Sequence, residues 1–125
     1  MRLRKVLAVD DSKLVLKIYE MMLRDRPLVF AQDGAEALER LRENPDVEVV
    51  LLDINMPKMS GFEVLDALRR SGALATLRVI VVTTEGSQEE VSRGLAAGAS
   101  AYLTKPFERE KLLDLIGSVE AGAAS

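Results

Sequence analysis

Five polar side chains lie at the ends of short aliphatic segments of this sequence: Asp10, Asp11, Asp53, Thr83 and Lys105. Carboxylates that lie close together repel one another and raise one another's pKa values unless a positive charge lies between them. A divalent cation with oxygen ligands would supply that charge, and Mg²⁺ suits best because it accepts one or two carboxylates together with waters and phosphate oxygens. Mn²⁺ is an alternative metal. Lys105 would add a second positive charge that could pair with Asp53 or with a phosphoryl oxygen.

Each of these features also has a simpler interpretation when it is taken alone. Asp10 and Asp11 could serve only the start of a helix capped by Ser12. Thr83 could be an ordinary β-branched strand residue, and Lys105 with Pro106 could form a solvated turn. A site is favoured because all of these features occur together, each at the end of a predicted strand.

The segments before these residues have the composition of buried strands. Residues 49–52 are four aliphatic residues in a row that run directly into Asp53, as is typical of a strand buried on both faces of a parallel sheet. Strands are predicted at 5–9, 28–31, 49–53, 78–83 and 101–104. Because parallel strands end at the same edge, the carboxylates converge there if the first and third strands are neighbours.

Helical periodicity and capping residues predict a helix after each strand. The first begins at Ser12 and ends near Arg24, with Val15, Ile18, Tyr19 and Met22 on its inner face. The second begins after Asp33 and ends near Glu43. Two capping boxes, Ser60 with Glu63 and Ser87 with Glu90, predict helices that end before Gly72 and Gly98. The last helix is predicted at 108–119.

Five strands that alternate with five helices predict an α/β fold. We expect a (βα)₅ doubly wound parallel five-stranded sheet with right-handed crossovers, in a flavodoxin-like three-layer sandwich. A single domain is predicted at 1–119, followed by a short flexible tail at 120–125. No second domain or linker is indicated.

Composition excludes several classes of site. The 125 residues contain neither histidine nor cysteine, which excludes a Ser-His-Asp triad, histidine-containing metal sites and thiolate chemistry. The net charge of −3 and pI of about 5.1 do not suit direct nucleic-acid binding. The apolar segment after the basic N-terminal residues is too short for a signal peptide or membrane span, so we expect a cytoplasmic protein without membrane insertion.

Together these motifs resemble the receiver domain of bacterial two-component response regulators, and most closely the stand-alone chemotaxis-type regulators. The resemblance extends from Val6 to about Val119. It implies the strand order 2-1-3-4-5, which is the order given for a chemotaxis regulator of this family in general descriptions of doubly wound folds. It also implies a cis peptide bond between Lys105 and Pro106.

The resemblance further implies a role for each residue of the site. Asp53 resembles the phosphoacceptor, and Mg²⁺ would be held by Asp10, Asp11, Asp53 and the backbone carbonyl of Asn55. Lys105 and Thr83 would bind the phosphoryl group, beside Asn55 and Thr84. Thr84 is bulkier than the Ala or Gly of many members and would narrow access. Asn55 and Glu85 occupy the positions that tune hydrolysis, and their types imply a short-lived phosphoryl state.

In such a receiver domain, Thr83 and Tyr102 would form the switch. Thr83 is drawn toward the phosphoryl group, Tyr102 moves from an outward to an inward position, and the weakly packed helix after Ser87 is rearranged. The implied phosphoryl donor is a sensor histidine kinase or phosphotransfer protein, with acetyl phosphate as a small-molecule donor. The downstream protein would contact the face formed by the fourth helix, the fifth strand and the fifth helix, at Val91, Ala101, Tyr102 and Phe107. The protein would be a monomer or a phosphorylation-dependent dimer.

Three other interpretations compete with this one. A flavin carrier would need a phosphate-binding loop of Gly, Ser or Thr where Asp10 and Asp11 stand. A metal-dependent phosphohydrolase with an aspartyl nucleophile is the enzymatic alternative to a regulatory phosphoacceptor. Such enzymes usually place an Asp-x-Asp pair after the first strand and carry a substrate-capping insertion. A scaffold of the same fold without phosphorylation would not need Asp53, Thr83 and Lys105 together.

Overall fold

The structure is a computed structural model that describes residues 4–56, 59–84 and 86–124. The strands are β1 (Lys5–Val9), β2 (Leu28–Ala31), β3 (Val47–Asp53), β4 (Arg78–Thr83) and β5 (Ala101–Thr104). The helices are α1 (Lys13–Met22), α2 (Gly34–Glu43), α3 (Gly61–Ser71), α4 (Gln88–Ala96) and α5 (Arg109–Ala124), with a 3₁₀ turn at Ala73–Ala75. Strands and helices alternate as the sequence predicts.

All neighbouring strands are parallel, and their order is β2-β1-β3-β4-β5. This order confirms the predicted doubly wound sheet and places β1 beside β3. The direction of the chain therefore reverses across the sheet between β1 and β3, where ligands bind in open α/β folds.

A separate apolar core covers each face of the sheet. Val50 and Leu52 of β3 lie in the core under α2 and α3, whereas Val49 and Leu51 lie in the core under α1 and α5. Strands buried on both faces account for the uninterrupted aliphatic segments in the sequence. Each fully buried Val or Leu stabilises the fold by about 1.5–3 kcal/mol, so these cores hold the strand ends in fixed positions.

The ends of α3 match the predicted signals. Ser60 Oγ accepts a hydrogen bond from Glu63 N–H, and the Glu63 side chain accepts one from Ser60 N–H, which completes the capping box. At the other end, Gly72 has a φ of 82°, a left-handed conformation that favours glycine.

The predicted inner face of α1 is partly wrong. Leu16 and Tyr19 are the buried side chains of α1, and Leu23 just after its end is also buried, whereas Ile18 is 38% exposed and faces outward. Ile18 belongs to a second apolar stripe with Leu14 and Met21, which are also exposed. Two stripes on opposite sides of one helix give an ambiguous periodicity, and the prediction mixed them.

Three element boundaries also differ from the prediction. β3 begins at Val47, two residues earlier than expected, and α1 ends at Met22 rather than near Arg24. α5 continues past the expected end at Val119 to Ala124. Alanine has the highest helix propensity of all residues, which accounts for this extension through an alanine-rich segment. Within the described residues, no helix is both long and apolar enough to cross a lipid bilayer.

Candidate functional site

The polar residues predicted at the strand ends share one edge of the sheet. The register pairs Val9 with Leu52, so the residues that follow them, Asp10 and Asp53, are neighbours at this edge. Asp53 itself pairs with Val82, which places Thr83 one residue further along. Thr83 in turn pairs with Thr104, the residue before Lys105. The parallel register therefore assembles the predicted site from four strands.

Three carboxylates form a cluster at this edge. Asp10, Asp11 and Asp53 each offer an oxygen, and these oxygens lie within 4.8 Å of one another. Asp10 and Asp53 are buried and Asp11 is exposed. Asp10 Oδ1 also accepts a hydrogen bond of 2.9 Å from Ser12 N–H, which fixes its orientation. The cluster is thus held rigidly on its buried side and open to solvent at Asp11.

Lys105, the residue directly after β5, brings a positive charge to the cluster. Its Nζ lies 2.6 Å from Asp10 Oδ2 and 3.7 Å from Asp53 Oδ1. Its backbone N–H donates to the Thr83 carbonyl oxygen at 2.7 Å, and the Lys105–Pro106 peptide bond is cis, as the resemblance implied. Lysine therefore contacts Asp53 as expected, but its shorter contact is with Asp10.

The Asp53 carboxyl is held in an unusual electrostatic environment. Burial and the neighbouring Asp10 raise its pKa from 3.8 to about 6, while Lys105 and the Asn55 N–H act in the opposite direction. Both lowering effects act on the ionised form, the first by charge and the second by a hydrogen bond of 3.4 Å. Repulsion from Asp10 thus outweighs the single lysine, and further positive charge would favour ionised Asp53.

The donor set suits a hard divalent cation. The three acidic residues offer only oxygen ligands, and no histidine or cysteine exists in the chain. Mg²⁺ and Mn²⁺ prefer such ligands, and one exposed carboxylate beside two buried ones leaves room for waters. The residues present therefore fit Mg²⁺, which Asp10, Asp11 and Asp53 could hold.

The remaining predicted site residues lie around this cluster. Thr83 is fully buried at the end of β4, and Thr84 follows it in an exposed position. Asn55, also exposed, follows Asp53 by two residues. Glu85, which the resemblance also matched, lies outside the described residues.

The turn after Asp53 passes very close to the start of α3. Gly61 N–H donates to the Ile54 carbonyl oxygen at 3.0 Å. A Cβ atom at Gly61 would lie 2.8 Å from Ile54 Cα and would overlap the Asp53 carbonyl oxygen. Only glycine fits here, so the position of Asp53 depends on the residue that begins α3.

Comparison with known proteins identifies the family of this chain. The sequence model of the family described as "Response regulator receiver domain" matches residues 6–117. The chain belongs to the response regulator receiver domain family.

Chemotaxis proteins are among the relatives of this receiver domain. A chemotaxis protein CheY homolog of Campylobacter jejuni is 37% identical over 121 residues, which cover 91% of this chain and 93% of the relative. Chemotaxis protein CheY1 of Helicobacter pylori is 35% identical, with coverage of 91% and 98%. These relatives make the chain a receiver domain of the chemotaxis type, which is a regulatory protein of two-component signalling.

Solved structures support the same family and fold. The chemotaxis protein CheY4 of Vibrio cholerae superimposes with a TM-score of 0.87 and 37% identity, over 94% of this chain and 98% of that chain. A Borrelia burgdorferi complex, described as CheX-CheY-BeF3-Mg+2, matches with a TM-score of 0.87 and 31% identity, over 94% and 90% of the two chains. A receiver domain of this type is a phosphorylatable signalling switch.

The aromatic residue three positions before the lysine makes a contact that the sequence did not predict. In this receiver domain, Tyr102 is half-buried, and its hydroxyl donates to Glu90 Oε1 at 2.5 Å. Ser87 Oγ accepts from Glu90 N–H, as a capping box requires, but the Glu90 side chain is directed to Tyr102. The prediction of a second capping box is therefore only half right: Ser87 caps the helix, but the Glu90 side chain does not return to the Ser87 N–H. Local spacing alone indicated the cap, whereas the tertiary contact follows only from the packing of α4 on β5.

A buried tyrosine near the carboxylates was predicted as a core residue without any link to the site. Tyr19 of α1 is 1% exposed and stacks on Phe107, with ring centroids 5.9 Å apart. Burial raises its pKa strongly, and the charges of Asp10 and Asp53 raise it further. Tyr19 therefore remains neutral and couples α1 to the segment that follows Lys105.

Proposed function

We propose that this receiver domain is switched by phosphorylation of Asp53. The observation that supports this proposal most directly is the position of Lys105, whose Nζ lies 2.6 Å from Asp10 and 3.7 Å from Asp53 at the edge where three carboxylates cluster. A carboxylate becomes a covalent nucleophile where positive groups neutralise the oxygens of the incoming phosphoryl group. Both a metal-binding cluster and an ammonium are available beside Asp53.

In the proposed reaction, an Asp53 carboxylate oxygen forms a bond to phosphorus. The bond between phosphorus and the leaving group breaks, and the leaving group keeps the electron pair. Mg²⁺, when bound, supplies positive charge that stabilises the phosphoryl oxygens, and its ligands would be Asp10, Asp11, Asp53 and the Asn55 backbone carbonyl. Lys105 would turn from Asp10 toward a phosphoryl oxygen.

The residues around the cluster would receive the phosphoryl group. The Thr83 hydroxyl would donate a hydrogen bond to it, and Asn55 and the backbone of Thr84 would line its other sides. The extra bulk of Thr84 would limit access of larger donors. Water reaching the phosphoryl group past Asn55 would hydrolyse the acyl phosphate, so we expect a short-lived phosphoryl state.

The donor must be another molecule. The chain contains no histidine that could carry a phosphoryl group, so a sensor histidine kinase or a histidine phosphotransfer protein is the proposed partner. Acetyl phosphate would serve as a small-molecule donor. The solved Borrelia burgdorferi complex, which contains a CheY with BeF3 and Mg²⁺, supports a phosphoryl site and a Mg²⁺ site in this chain by similarity.

The proposed output is a rearranged face of α4, β5 and α5. Val91, Ala101, Tyr102 and Phe107 are each half-buried on these elements or on the loop between β5 and α5, so each offers part of its surface to a downstream protein. Phosphorylation would replace the single negative charge of the Asp53 carboxylate by an acyl phosphate of about −2 beside Thr83, and movement of Thr83 would let Tyr102 change position. Phosphorylation of Asp53 would thus change the shape of a protein-binding surface.

Intact-protein mass after incubation with Mg²⁺ and acetyl phosphate tests the proposal. We expect one added phosphoryl group in the wild type, and none in Asp53→Asn or in the presence of a chelator. Mg²⁺-dependent binding of beryllofluoride, which does not hydrolyse, provides the same test for a short-lived product. Failure of both measurements would overturn the proposal, and steady turnover of phosphomonoesters would favour a phosphohydrolase instead.

A further inference from the structure

The hydroxyl of Tyr102 is bound by a side chain of α4. It donates to Glu90 Oε1 at 2.5 Å, within the range of hydrogen bonds between a hydroxyl and an ionised carboxylate. Glu90 lies in the first turn of α4, where its backbone N–H is already fixed by Ser87 Oγ at 3.2 Å. The acceptor of the Tyr102 hydroxyl therefore sits at a well-anchored position of the helix.

The ring of Tyr102 rests on the same helix one turn later. A Cβ atom at Gly94 would lie 3.0 Å from Tyr102 Cε2 and 3.5 Å from Cδ2. The ring thus fills the space that a side chain at position 94 would take, and Gly94 is the buried residue of α4. Glu90 and Gly94 lie four positions apart and face the same side, so α4 holds both the hydroxyl and the ring.

Tyr102 also lies on the sheet face that carries Thr83. The register pairs Tyr102 with Val81, and both belong to the core under α2 and α3. Because side chains alternate along a strand, Thr83 points to the same face as Val81. Movement of Thr83 toward the phosphoryl site would therefore alter the sheet face on which the Tyr102 ring lies.

Lys105 identifies which state of the switch contains the contact between Glu90 and Tyr102. Its ammonium is engaged by Asp10 at 2.6 Å and stands further from Asp53, at 3.7 Å. A lysine held by Asp10 is not positioned on a phosphoryl group at Asp53. The hydrogen bond from Tyr102 to Glu90 accordingly accompanies the arrangement without a phosphoryl group.

We propose that Glu90 is a positioning residue that holds Tyr102 in the unphosphorylated arrangement and thereby lowers the affinity of Asp53 for a phosphoryl group. This inference rests on the proposed function and adds to it the side chain that sets the resting equilibrium. A contact present in only one of two states shifts the equilibrium by the free energy of that contact. Removal of the hydrogen bond should therefore favour the phosphoryl-bound state.

The test measures the affinity for beryllofluoride in the presence of Mg²⁺, using four variants of the full chain. Glu90→Ala and Tyr102→Phe each remove the hydrogen bond, and Glu90→Gln keeps an oxygen acceptor without the charge. Glu89→Gln is the matched control because it removes the same charge from the same exposed turn of α4. We expect Glu90→Ala and Tyr102→Phe to bind about fivefold more tightly than the wild type, Glu90→Gln to lie between, and Glu89→Gln to stay within about twofold.

The double variant Glu90→Ala with Tyr102→Phe should bind about as tightly as Tyr102→Phe alone, since loss of the Tyr102 hydroxyl already removes its hydrogen bond to Glu90. Unchanged or weaker binding by Glu90→Ala would overturn the inference, and so would an equal effect of Glu89→Gln. Either outcome would overturn only the role of Glu90, because binding of beryllofluoride by the wild type would still support the proposed function.

A measurement without metal or fluoride separates the two proposals. The NMR signal of the labelled Tyr102 ring should shift in Glu90→Gln and stay unchanged in Glu89→Gln. The Tyr102 signal could shift in Glu90→Gln while the wild type fails to bind beryllofluoride. That combination would confirm the contact but overturn the proposed function, and with it the role of Glu90 in switching. An unshifted signal would overturn the contact itself, whatever the outcome for Asp53.

Discussion

Lys105 is bound more closely by Asp10 than by Asp53: its Nζ lies 2.6 Å from the first carboxylate and 3.7 Å from the second. Asp10 is a proposed metal ligand, whereas Asp53 is the proposed phosphoacceptor. Lysine thus acts as an internal counter-ion at the position where Mg²⁺ would bind. Metal entry would therefore be coupled to lysine release at Asp10.

Replacement of Lys105 by glutamine should destabilise the metal-free protein. Buried Asp10 would lose its ion-pair partner, at a cost on the order of 3 kcal/mol in the free energy of unfolding. Urea denaturation at pH 7.5 with a chelator measures this loss, and Mg²⁺ should restore more stability to the variant than it adds to the wild type. Lys17→Gln, an exposed substitution on α1, should change the free energy of unfolding by less than about 0.5 kcal/mol. Equal stability of the two variants would contradict the role of Lys105 as counter-ion.

The raised pKa of Asp53 predicts a pH dependence of stability. Between 3.8 and about 6, the folded chain keeps a proton that the unfolded chain has already released. The proton on Asp53 therefore stabilises the folded state fully below pH 3.8, and this stabilisation is lost as the pH rises from 3.8 through about 6. At neutral pH the free energy of unfolding is lower than at low pH by about 3 kcal/mol on account of Asp53. In metal-free buffer, Asp53→Asn should be more stable than the wild type at pH 7.5, with a difference that narrows toward pH 4.

Chemical denaturation across this pH range, with and without Mg²⁺, checks the prediction. Mg²⁺ should reduce the advantage of Asp53→Asn at pH 7.5, because the cation stabilises ionised Asp53. A difference between the two proteins that does not vary with pH would be inconsistent with a raised pKa.

Substitution of Gly61 by alanine should disturb both the fold and the site. The new Cβ would crowd Ile54 Cα at 2.8 Å and overlap the Asp53 carbonyl oxygen, so the turn must shift at a cost of about 2–3 kcal/mol. Gly117→Ala is the matched control because nothing lies within 4 Å of its Cβ position on α5. That variant should gain about 0.5–1 kcal/mol of stability from helix propensity. Thermal unfolding measures both changes, and beryllofluoride binding should weaken only in Gly61→Ala.

The contact between α3 and α4 should control the local stability of α4. The Arg93 guanidinium lies 4.0 Å above the centre of the Phe62 ring. Because a cation over a ring at an exposed site contributes about 0.5–1 kcal/mol, Arg93→Gln should speed amide hydrogen exchange in α4 about twofold to fivefold. Arg93→Lys retains the charge and should exchange closer to the wild-type rate. Identical exchange in all three proteins would show that the ring contact does not hold the helix.

Most of the fold follows from the sequence because parallel strands have a simple pattern. The aliphatic segments before Asp10, Asp53 and Thr83 are each buried on both faces, so their composition alone marks them as strands. The convergence of Asp10, Asp11 and Asp53 then follows from the shared direction of the strands. The resemblance supplied the strand order that periodicity could not give.

The features that the sequence did not predict depend on contacts between elements. Ile18 and Leu16 belong to two apolar stripes of α1, and the sequence of the helix alone does not indicate which stripe packs against α5 and the sheet. Glu90 has the spacing of a capping residue, yet the hydroxyl of Tyr102 competes for its carboxylate. Lys105 lies within reach of two carboxylates, and the sequence contains nothing that ranks them.

The sparse packing of α4 has a consequence for the evolution of such a protein. Of its nine residues, all of them described, only Gly94 is buried, and Leu95 is 48% exposed. Substitutions at the outward positions of α4 therefore cost little folding energy. The proposed output face could therefore change to bind a different partner protein while the residues at the sheet edge stay the same. Related chains of one fold could in this way serve separate signalling pathways without responding to one another's partners.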